Sequence, residues 1–210
     1  MRAFLIAAAA ILAACSTPEK KAEQKPALPA TAPDVFRVKF TTSKGDFTVE
    51  VNKAWAPFGA DRFYELLRAN YFDEARFYRV MPKFVAQFGI HRDPEVSKLW
   101  RQLKIVDDKQ KEKNTKGTLA FAQDAPNSRT TQIFINLADN RTRLDGKGFV
   151  PFGKVVDGME VCEQLYGGYG EIAPRGPGPD AAKAEAQGNE YIVPHYPKLD
   201  YIKKAVLLAP

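Results

Sequence analysis

Residues 77–89 read FYRVMPKFVAQFG, two short apolar runs joined by a Met-Pro dipeptide. The pattern predicts two strands joined by a turn. Successive side chains of a strand point to opposite faces, so Arg79 is expected to share a face with Phe77, and Gln87 with Val85. Burying the charge of an arginine on an apolar strand costs free energy, so an arginine kept at such a position points to a function. Arg79 is therefore a candidate functional residue.

Two later segments repeat the pattern of an apolar strand, a polar loop and an apolar strand. The first covers residues 117–135 and the second covers residues 144–155. In this order and at this spacing, the three segments resemble the cyclophilin family of peptidyl-prolyl cis-trans isomerases. The resemblance extends from about Phe36 to Tyr166.

The resemblance and the residue pattern agree on a mainly β fold. Alternating apolar and polar residues predict a hairpin over 36–51, and Pro57 is expected near the start of a helix that closes near Asn70. A second helix is expected over 158–166, and residues 200–208 are a candidate closing strand. We therefore expect a closed antiparallel, cyclophilin-like β-barrel capped by two helices.

Residues 167–198, called here the C-terminal elaboration, are rich in Gly, Pro and Ala. Their pattern predicts a loop elaboration packed on the barrel, with a helical turn around residues 181–186, rather than a second domain. Residues 90–116 also depart from the compact family pattern. Within them, the charge run 107–113 is expected to be a solvated loop.

Site residues follow from the resemblance, position by position. It implies that Arg79, Gln87 and Phe84 form the catalytic set. Strict alternation along the strand would put Phe84 on the face opposite Gln87, unless a bulge changes the count. The residues implied to bind the substrate are Val85, Ala122, Gln123, Gln132, Phe134, Arg143, Leu144 and Phe149.

Four of these positions depart from the best-known family members. Val85 replaces a usual Met and Gln123 a usual Asn. Arg143 stands where they carry Trp, and Phe149 stands where they carry His, in a segment one residue longer. Tight binding of cyclosporin, to which that Trp contributes, is therefore not expected.

The resemblance implies an enzyme that rotates X-Pro bonds in unfolded or partly folded polypeptides. This chemistry requires no cofactor, metal or covalent nucleophile. A second hypothesis is a proline-peptide-binding holdase or assembly scaffold with little turnover. A metal-dependent hydrolase has little support, because His91 and His195 are the only histidines and lie far apart in the sequence.

The N-terminus has the pattern of an exported lipoprotein. Residues 1–14 are predicted to be a signal peptide, since a positive start precedes an apolar run too short to span a bilayer. The run ends in Leu-Ala-Ala-Cys, which resembles a bacterial lipobox and implies lipidation of Cys15. An ordinary secretory signal with a chance cysteine is the alternative. Residues 15–33 would form a flexible tether, and residues 34–210 the isomerase domain.

By the same resemblance, Ser16 favours the periplasmic face of the outer membrane of a Gram-negative bacterium. The lipid anchor would attach the chain to that membrane, and we expect a monomer. The net charge of +6 permits contact with nucleic acid, but the lysines are interleaved with acids, so no nucleic-acid partner is expected. Cys162 lies on the apolar side of a predicted helix and is expected to be a small buried residue.

Overall fold

The computed structural model describes residues 31–209. The predicted signal peptide, the lipidation site Cys15 and most of the predicted tether therefore lie outside the described residues. The end of that tether is part of the folded domain. Ala32 is buried, and its N–H donates to the carboxylate of Asp61 at 2.7 Å.

Eight strands form one antiparallel sheet, curled around a core of aromatic side chains. Their order across the sheet is 3-4-6-5-7-2-1-8. The strands are β1 Val35–Thr42, β2 Asp46–Asn52, β3 Arg79–Met81, β4 Val85–Phe88, β5 Thr118–Phe121, β6 Ile133–Asn136, β7 Pro151–Asp157 and β8 Ile202–Leu207.

The predicted first hairpin is confirmed as β1 and β2. Every second residue of each strand is buried, as the alternation requires. Phe40 and Phe47 face each other across the pair, with their rings stacked at 4.8 Å between centroids. Cross-strand aromatic pairs of this kind stabilise a sheet and fix its register.

The prediction of a closed barrel is wrong, because the curled sheet is open. Within residues 31–209, the two edge strands, β3 and β8, are not paired with each other. The edges approach each other where residues 74–77 meet residues 200–202, through a bridge between Arg76 and Tyr201 and backbone hydrogen bonds such as that from Phe77 N–H to the Asp200 carbonyl at 2.9 Å. In this antiparallel register β3 lies opposite the residues that precede β8, so the two strands do not pair with each other.

The described residues contain six helices rather than the two expected. The predicted pair is present as α1 and α4, whereas α2, α3 and α6 were not expected and α5 corresponds to the predicted helical turn. No helix in this part of the chain combines the length and apolar character needed to span a bilayer. The helices are α1 Pro57–Arg68, α2 Pro94–Arg101, α3 Arg141–Leu144, α4 Met159–Glu163, α5 Ala181–Gln187 and α6 Asn189–His195.

The main core lies between the concave side of the sheet and α1. Phe63 of α1 packs against Phe40 of β1 and Phe152 of β7, at 6.3 and 5.0 Å between ring centroids. Cys162 joins this core and is fully buried. Burial raises the pKa of its thiol to about 12, so Cys162 is a packing residue rather than a reactive one, as expected.

The C-terminal elaboration packs against the sheet through a second apolar cluster. Tyr78 and Ile90, which flank the β3–β4 hairpin, contribute one side of it. Ala184 of α5 and Ile192 of α6 contribute the other, and α5 also packs against α2. The elaboration therefore lies beside β3 and β4, the strands that carry Arg79 and Gln87.

The charge run at 107–113 is not solvated throughout, which corrects the sequence-based expectation. The side chain of Asp108 is 2% exposed and that of Arg129 is fully buried, and they form an ion pair at 3.1 Å. Asp108 also accepts the N–H groups of Phe58 and Gly59 at 2.9 Å. Because Ala56, the N-cap residue of α1, supplies no side-chain cap, Asp108 satisfies those free N–H groups from a distant loop.

Candidate active site

The candidate site is built on the hairpin of β3 and β4. Arg79 and Gln87 are directly opposite in the register, and Arg79 Nη1 donates to Gln87 Oε1 at 3.1 Å. Val85 and Gln87 share a face of β4, as predicted, while Ala86 lies in the main core. Two predictions of the strand face that a side chain occupies are wrong, and both concern residues just outside the strands.

Phe77 packs in the main core against Phe88, whereas Arg79 lies in the cleft. The two do not share a face because regular strand geometry begins only at Arg79. Phe84 lies in the same cleft as Gln87, because it belongs to the turn before β4 rather than to the strand. Lys83 occupies the left-handed region at φ 62°, which reorients the chain there.

An apolar slot lies next to the Arg79–Gln87 pair and is separate from the main core. Its rings Phe134 and Phe149 meet edge to face, with centroids 5.7 Å apart. The carbonyl of Phe84 accepts the N–H of Leu137 at 2.9 Å and the side-chain amide of Asn140 at 2.7 Å, which fixes the turn at the slot's mouth. The slot consists of Phe84, Val85, Ala120, Ala122, Phe134, Leu144 and Phe149.

A chain of hydrogen bonds begins at Arg79 and continues through Gln87 and Gln132. Because Gln87 Oε1 accepts from Arg79, its Nε2 donates onward to Gln132 Oε1 at 3.2 Å. Gln132 Oε1 also accepts the hydroxyl of Tyr78 at 2.5 Å, and Gln132 Nε2 donates to Glu185 Oε1 at 2.6 Å. Burial raises the pKa of Tyr78 well above its ordinary value, so the hydroxyl remains a donor.

The C-terminal elaboration supplies a carboxylate at each end of this chain of hydrogen bonds. Glu171 accepts from Arg79 Nε at 2.6 Å and from Nη2 at 2.8 Å, which is a bidentate pair. Hydrogen bonds from Arg79 are the main reason that the pKa of Glu171 is lowered. At the other end, Arg101 of α2 pairs with Glu185 at 3.0 Å, while burial raises the pKa of Glu185.

Most of these groups line one cleft of about 960 Å³, while Tyr78 and Glu171 contact it through the lining residues Gln132 and Arg79. Most of the predicted site residues are among those that line it. Arg143 is the exception, since its exposed guanidinium lies over the outer face of the Phe84 ring, 5.2 Å from the centroid. The predicted residues that line the cleft are Arg79, Phe84, Val85, Gln87, Ala122, Gln123, Gln132, Phe134, Leu144 and Phe149.

Glu171 and Glu185 were not predicted as site residues. They lie 92 and 53 residues along the chain from the side chains they contact, in a segment without apolar periodicity. The only local signal near Glu185 is Asp180, whose side chain accepts Lys183 N–H and marks the start of α5. No comparable signal precedes Glu171.

Comparison with known proteins agrees with this geometry. The sequence profile described as "Cyclophilin type peptidyl-prolyl cis-trans isomerase/CLD" matches residues 37–174, well over half of the chain. The chain belongs to the cyclophilin family. The match ends before α5, so most of the elaboration that closes one side of this cyclophilin's cleft lies beyond it.

Individual relatives are named as peptidyl-prolyl cis-trans isomerases. The chain is 33% identical to peptidyl-prolyl cis-trans isomerase B of Escherichia coli over 137 residues, 62% of this chain and 84% of that protein. It is 37% identical to peptidyl-prolyl cis-trans isomerase CYP18-2 of Arabidopsis thaliana over 134 residues, 61% of this chain and 80% of that one.

Among solved structures, a cyclophilin type isomerase of Cryptosporidium parvum, crystallised in the presence of the dipeptide Ala-Pro, is similar in fold. Its TM-score is 0.57 at 18% identity, and the match covers 83% of this chain and 99% of that one. Since identity is this low, the likeness supports the fold alone.

The described residues hold a fixed hydrogen-bond donor beside an apolar slot. An arginine stays protonated and presents its N–H groups in a rigid fork. Among residues 31–209, no group of three or more His, Cys, Asp or Glu side chains is placed to hold a metal ion. The arrangement can hold an apolar ring in the slot and donate a charged hydrogen bond to a group beside it.

Proposed function

We propose that this cyclophilin accelerates the cis-trans rotation of X-Pro bonds in exported, unfolded or partly folded polypeptides. The observation that carries the proposal is the Arg79 guanidinium, held by Gln87 at 3.1 Å beside the slot of Phe84, Phe134 and Phe149. The proline ring would occupy the slot, and the guanidinium would face the prolyl nitrogen.

The physical argument concerns the twisted amide. Rotation passes a barrier of roughly 18–20 kcal/mol, because it breaks the resonance of the peptide bond. In the twisted state the prolyl nitrogen becomes pyramidal and its lone pair accepts a hydrogen bond that the planar amide cannot accept. A donor fixed at that point stabilises the transition state more than the ground state, which is the requirement for catalysis.

One charged hydrogen bond contributes about 1.5–3 kcal/mol, or roughly a ten- to hundredfold acceleration. The rest would come from holding the proline ring while the preceding residue turns, and from removing water from the amide. No bond is made or broken, so no nucleophile or general base takes part.

The decisive test is the isomerisation rate of an Ala-Pro-containing peptide, measured by NMR exchange spectroscopy with the full chain at catalytic concentration. We expect exchange between the cis and trans peptide signals to be accelerated. A peptide that binds, with shifted resonances, but exchanges at its uncatalysed rate would instead identify a holdase or scaffold.

We further propose that the chain is a lipoprotein anchored through Cys15 at the periplasmic face of the outer membrane. The support is the N-terminal sequence: an apolar run followed by Leu-Ala-Ala-Cys and then by Ser16. Two or more acyl chains would make the anchor stable, whereas a single chain binds a bilayer only weakly. The folded domain would then act on polypeptides crossing the cell envelope.

Cys15→Ser is expected to abolish the anchor, because a serine hydroxyl cannot form the thioether to the lipid. Expressed in a Gram-negative host, the variant should remain as an uncleaved precursor or move to the soluble fraction, while the wild type stays with the membranes. Intact-mass spectrometry of both proteins checks the acyl chains directly. Wild-type protein cleaved elsewhere and free of acyl chains would show that the N-terminus is an ordinary signal peptide.

A further inference from the structure

Glu171 contacts the candidate catalytic arginine from outside the hairpin that carries it. Arg79 has five N–H donors. Within the described part of the chain, Glu171 takes those of Nε and Nη2, at 2.6 and 2.8 Å, and Gln87 takes one of Nη1. Two N–H groups remain for a substrate. The guanidinium is thus fixed from two directions, and its orientation is defined before any peptide binds.

The loop around Glu171 is built to hold its carboxylate in place. Oε1 also accepts the N–H of Ile172 at 2.9 Å, and the Glu171 carbonyl accepts the N–H of Gly178 at 2.9 Å. The chain is packed so closely that a Cβ at Gly176 would lie 2.4 Å from the Glu171 carbonyl oxygen. Any larger residue at Gly176 would displace this loop, and with it the carboxylate.

Charge favours the same arrangement. The side chain of Arg79 is 14% exposed and that of Glu171 is 22% exposed, so the pair is only weakly screened by solvent. Arg79 and Arg175 are the charged groups that act on Glu171, and both lower its pKa. A carboxyl with a lowered pKa stays ionised as the pH falls through its ordinary range. The pair therefore persists at neutral pH and breaks only in stronger acid.

We propose that Glu171 is a positioning residue of the active site, holding the Arg79 guanidinium so that its remaining N–H groups meet the prolyl nitrogen. The inference rests on the proposed function, because it concerns the orientation of the donor that the isomerase mechanism requires. It assigns the C-terminal elaboration a part in turnover. Without Glu171, Arg79 keeps its charge but samples several rotamers, and fewer of them are productive.

The test compares Glu171→Gln with wild type in the full chain. Glutamine keeps the shape and one acceptor oxygen but removes the charge and the bidentate pair. We expect turnover of an Ala-Pro peptide to fall about tenfold, with the dissociation constant of the peptide changed less than about twofold. Glu171→Asp retains the carboxylate on a shorter side chain and should keep more turnover than Glu171→Gln.

A matched control is Glu163→Gln. Glu163 also pairs with a cation, Lys116, at 2.5 Å, but it is exposed and does not line the cleft. Its loss should leave turnover and peptide affinity at wild-type values. Circular dichroism should give the same spectrum for all of these variants, because none of the changes lies in a strand or the main core.

A spectroscopic readout separates positioning from a general structural role. In ¹⁵N-labelled protein, the Arg79 Nε–H should give a sharp, slowly exchanging resonance, identified by its loss in Arg79→Lys. Glu171→Gln should broaden or abolish that resonance, and Glu163→Gln should leave it unchanged. Unchanged turnover in Glu171→Gln would overturn the proposal. Faster turnover would overturn it too, since Glu171 would then restrain Arg79 rather than position it.

Failure of the proposed function gives a different result. If the wild type binds the peptide without accelerating exchange, the isomerase assignment fails. In that case, the Nε–H resonance alone tests whether Glu171 orients the Arg79 guanidinium. A resonance equally sharp in wild type and Glu171→Gln would show that Glu171 does not hold the guanidinium.

Discussion

Arg79→Ala should slow the isomerisation of an X-Pro peptide about ten- to a hundredfold and change peptide affinity less than about threefold. The slot that holds the proline ring is built from other side chains, so binding survives the truncation. What is lost is the charged donor, which acts mainly on the twisted amide. NMR exchange for the rate and a chemical-shift titration for affinity give the two quantities on one sample.

Two further variants make this result specific. Arg79→Lys keeps a positive charge but lacks the planar fork that meets both Gln87 and Glu171, so it should be nearly as slow as Arg79→Ala. Arg141→Ala removes an exposed arginine paired with Asp139 outside the cleft, and its rate should equal that of wild type. Near-normal kcat/KM in Arg79→Ala would show that the rate depends on the slot alone.

Asp108→Ala is expected to lower the free energy of unfolding by about 3–5 kcal/mol. The substitution leaves the fully buried Arg129 guanidinium with only the more distant carboxylate of Asp107, at 3.5 Å, and removes the acceptor for the N–H groups of Phe58 and Gly59. For a domain of this size such a loss lowers the melting temperature on the order of 10 °C. Urea denaturation followed by circular dichroism measures it.

The control for this loss is Asp139→Ala. Asp139 forms a shorter ion pair, 2.6 Å to Arg141, but both side chains are more than half exposed. An exposed pair contributes little, because water and salt screen it. The unfolding curve of Asp139→Ala should therefore overlay that of wild type. If the unfolding curve of Asp108→Ala also overlays that of wild type, another group balances the charge of Arg129 and accepts the free N–H groups of α1.

Local patterns predicted those parts of the fold whose causes are local. The hairpin of β1 and β2 follows from strict alternation, and α1 begins at Pro57, as its sequence indicates. The pairing of Arg79 with Gln87 follows from a turn between two short apolar runs. In each case the residues that decide the structure are close together in the chain.

The helices that were missed had weak or contrary signals. In α2, Val96, Leu99 and Trp100 recur at helical spacing and Asp93 followed by Pro94 is a usable start signal, but the helix has only eight residues, a length at which such a pattern is weak evidence. In α6, Pro194 argues against a helix, yet it is accommodated near the helix's end. For α6, the sequence without knowledge of tertiary contacts offered no reason to prefer a helix over a loop.

The parts that sequence could not predict depend on distant contacts. Whether the barrel closes depends on how residues 74–77 meet residues 200–202, which neither segment encodes alone. The burial of Asp108 depends on Arg129, and the role of Glu171 depends on Arg79, 92 residues away. In both cases the sequence around the charged residue is typical of a solvated loop, whereas the structure buries most of the side chain against a distant partner.

The open sheet leaves β8 as an edge strand. An exposed edge strand is a template on which another extended chain can add. Along β8, Lys203 and Lys204 are exposed on consecutive positions, so both faces of that edge carry a charge. Such lysines discourage strand addition. On the function proposed above, an extended client would bind in the cleft rather than add to this edge.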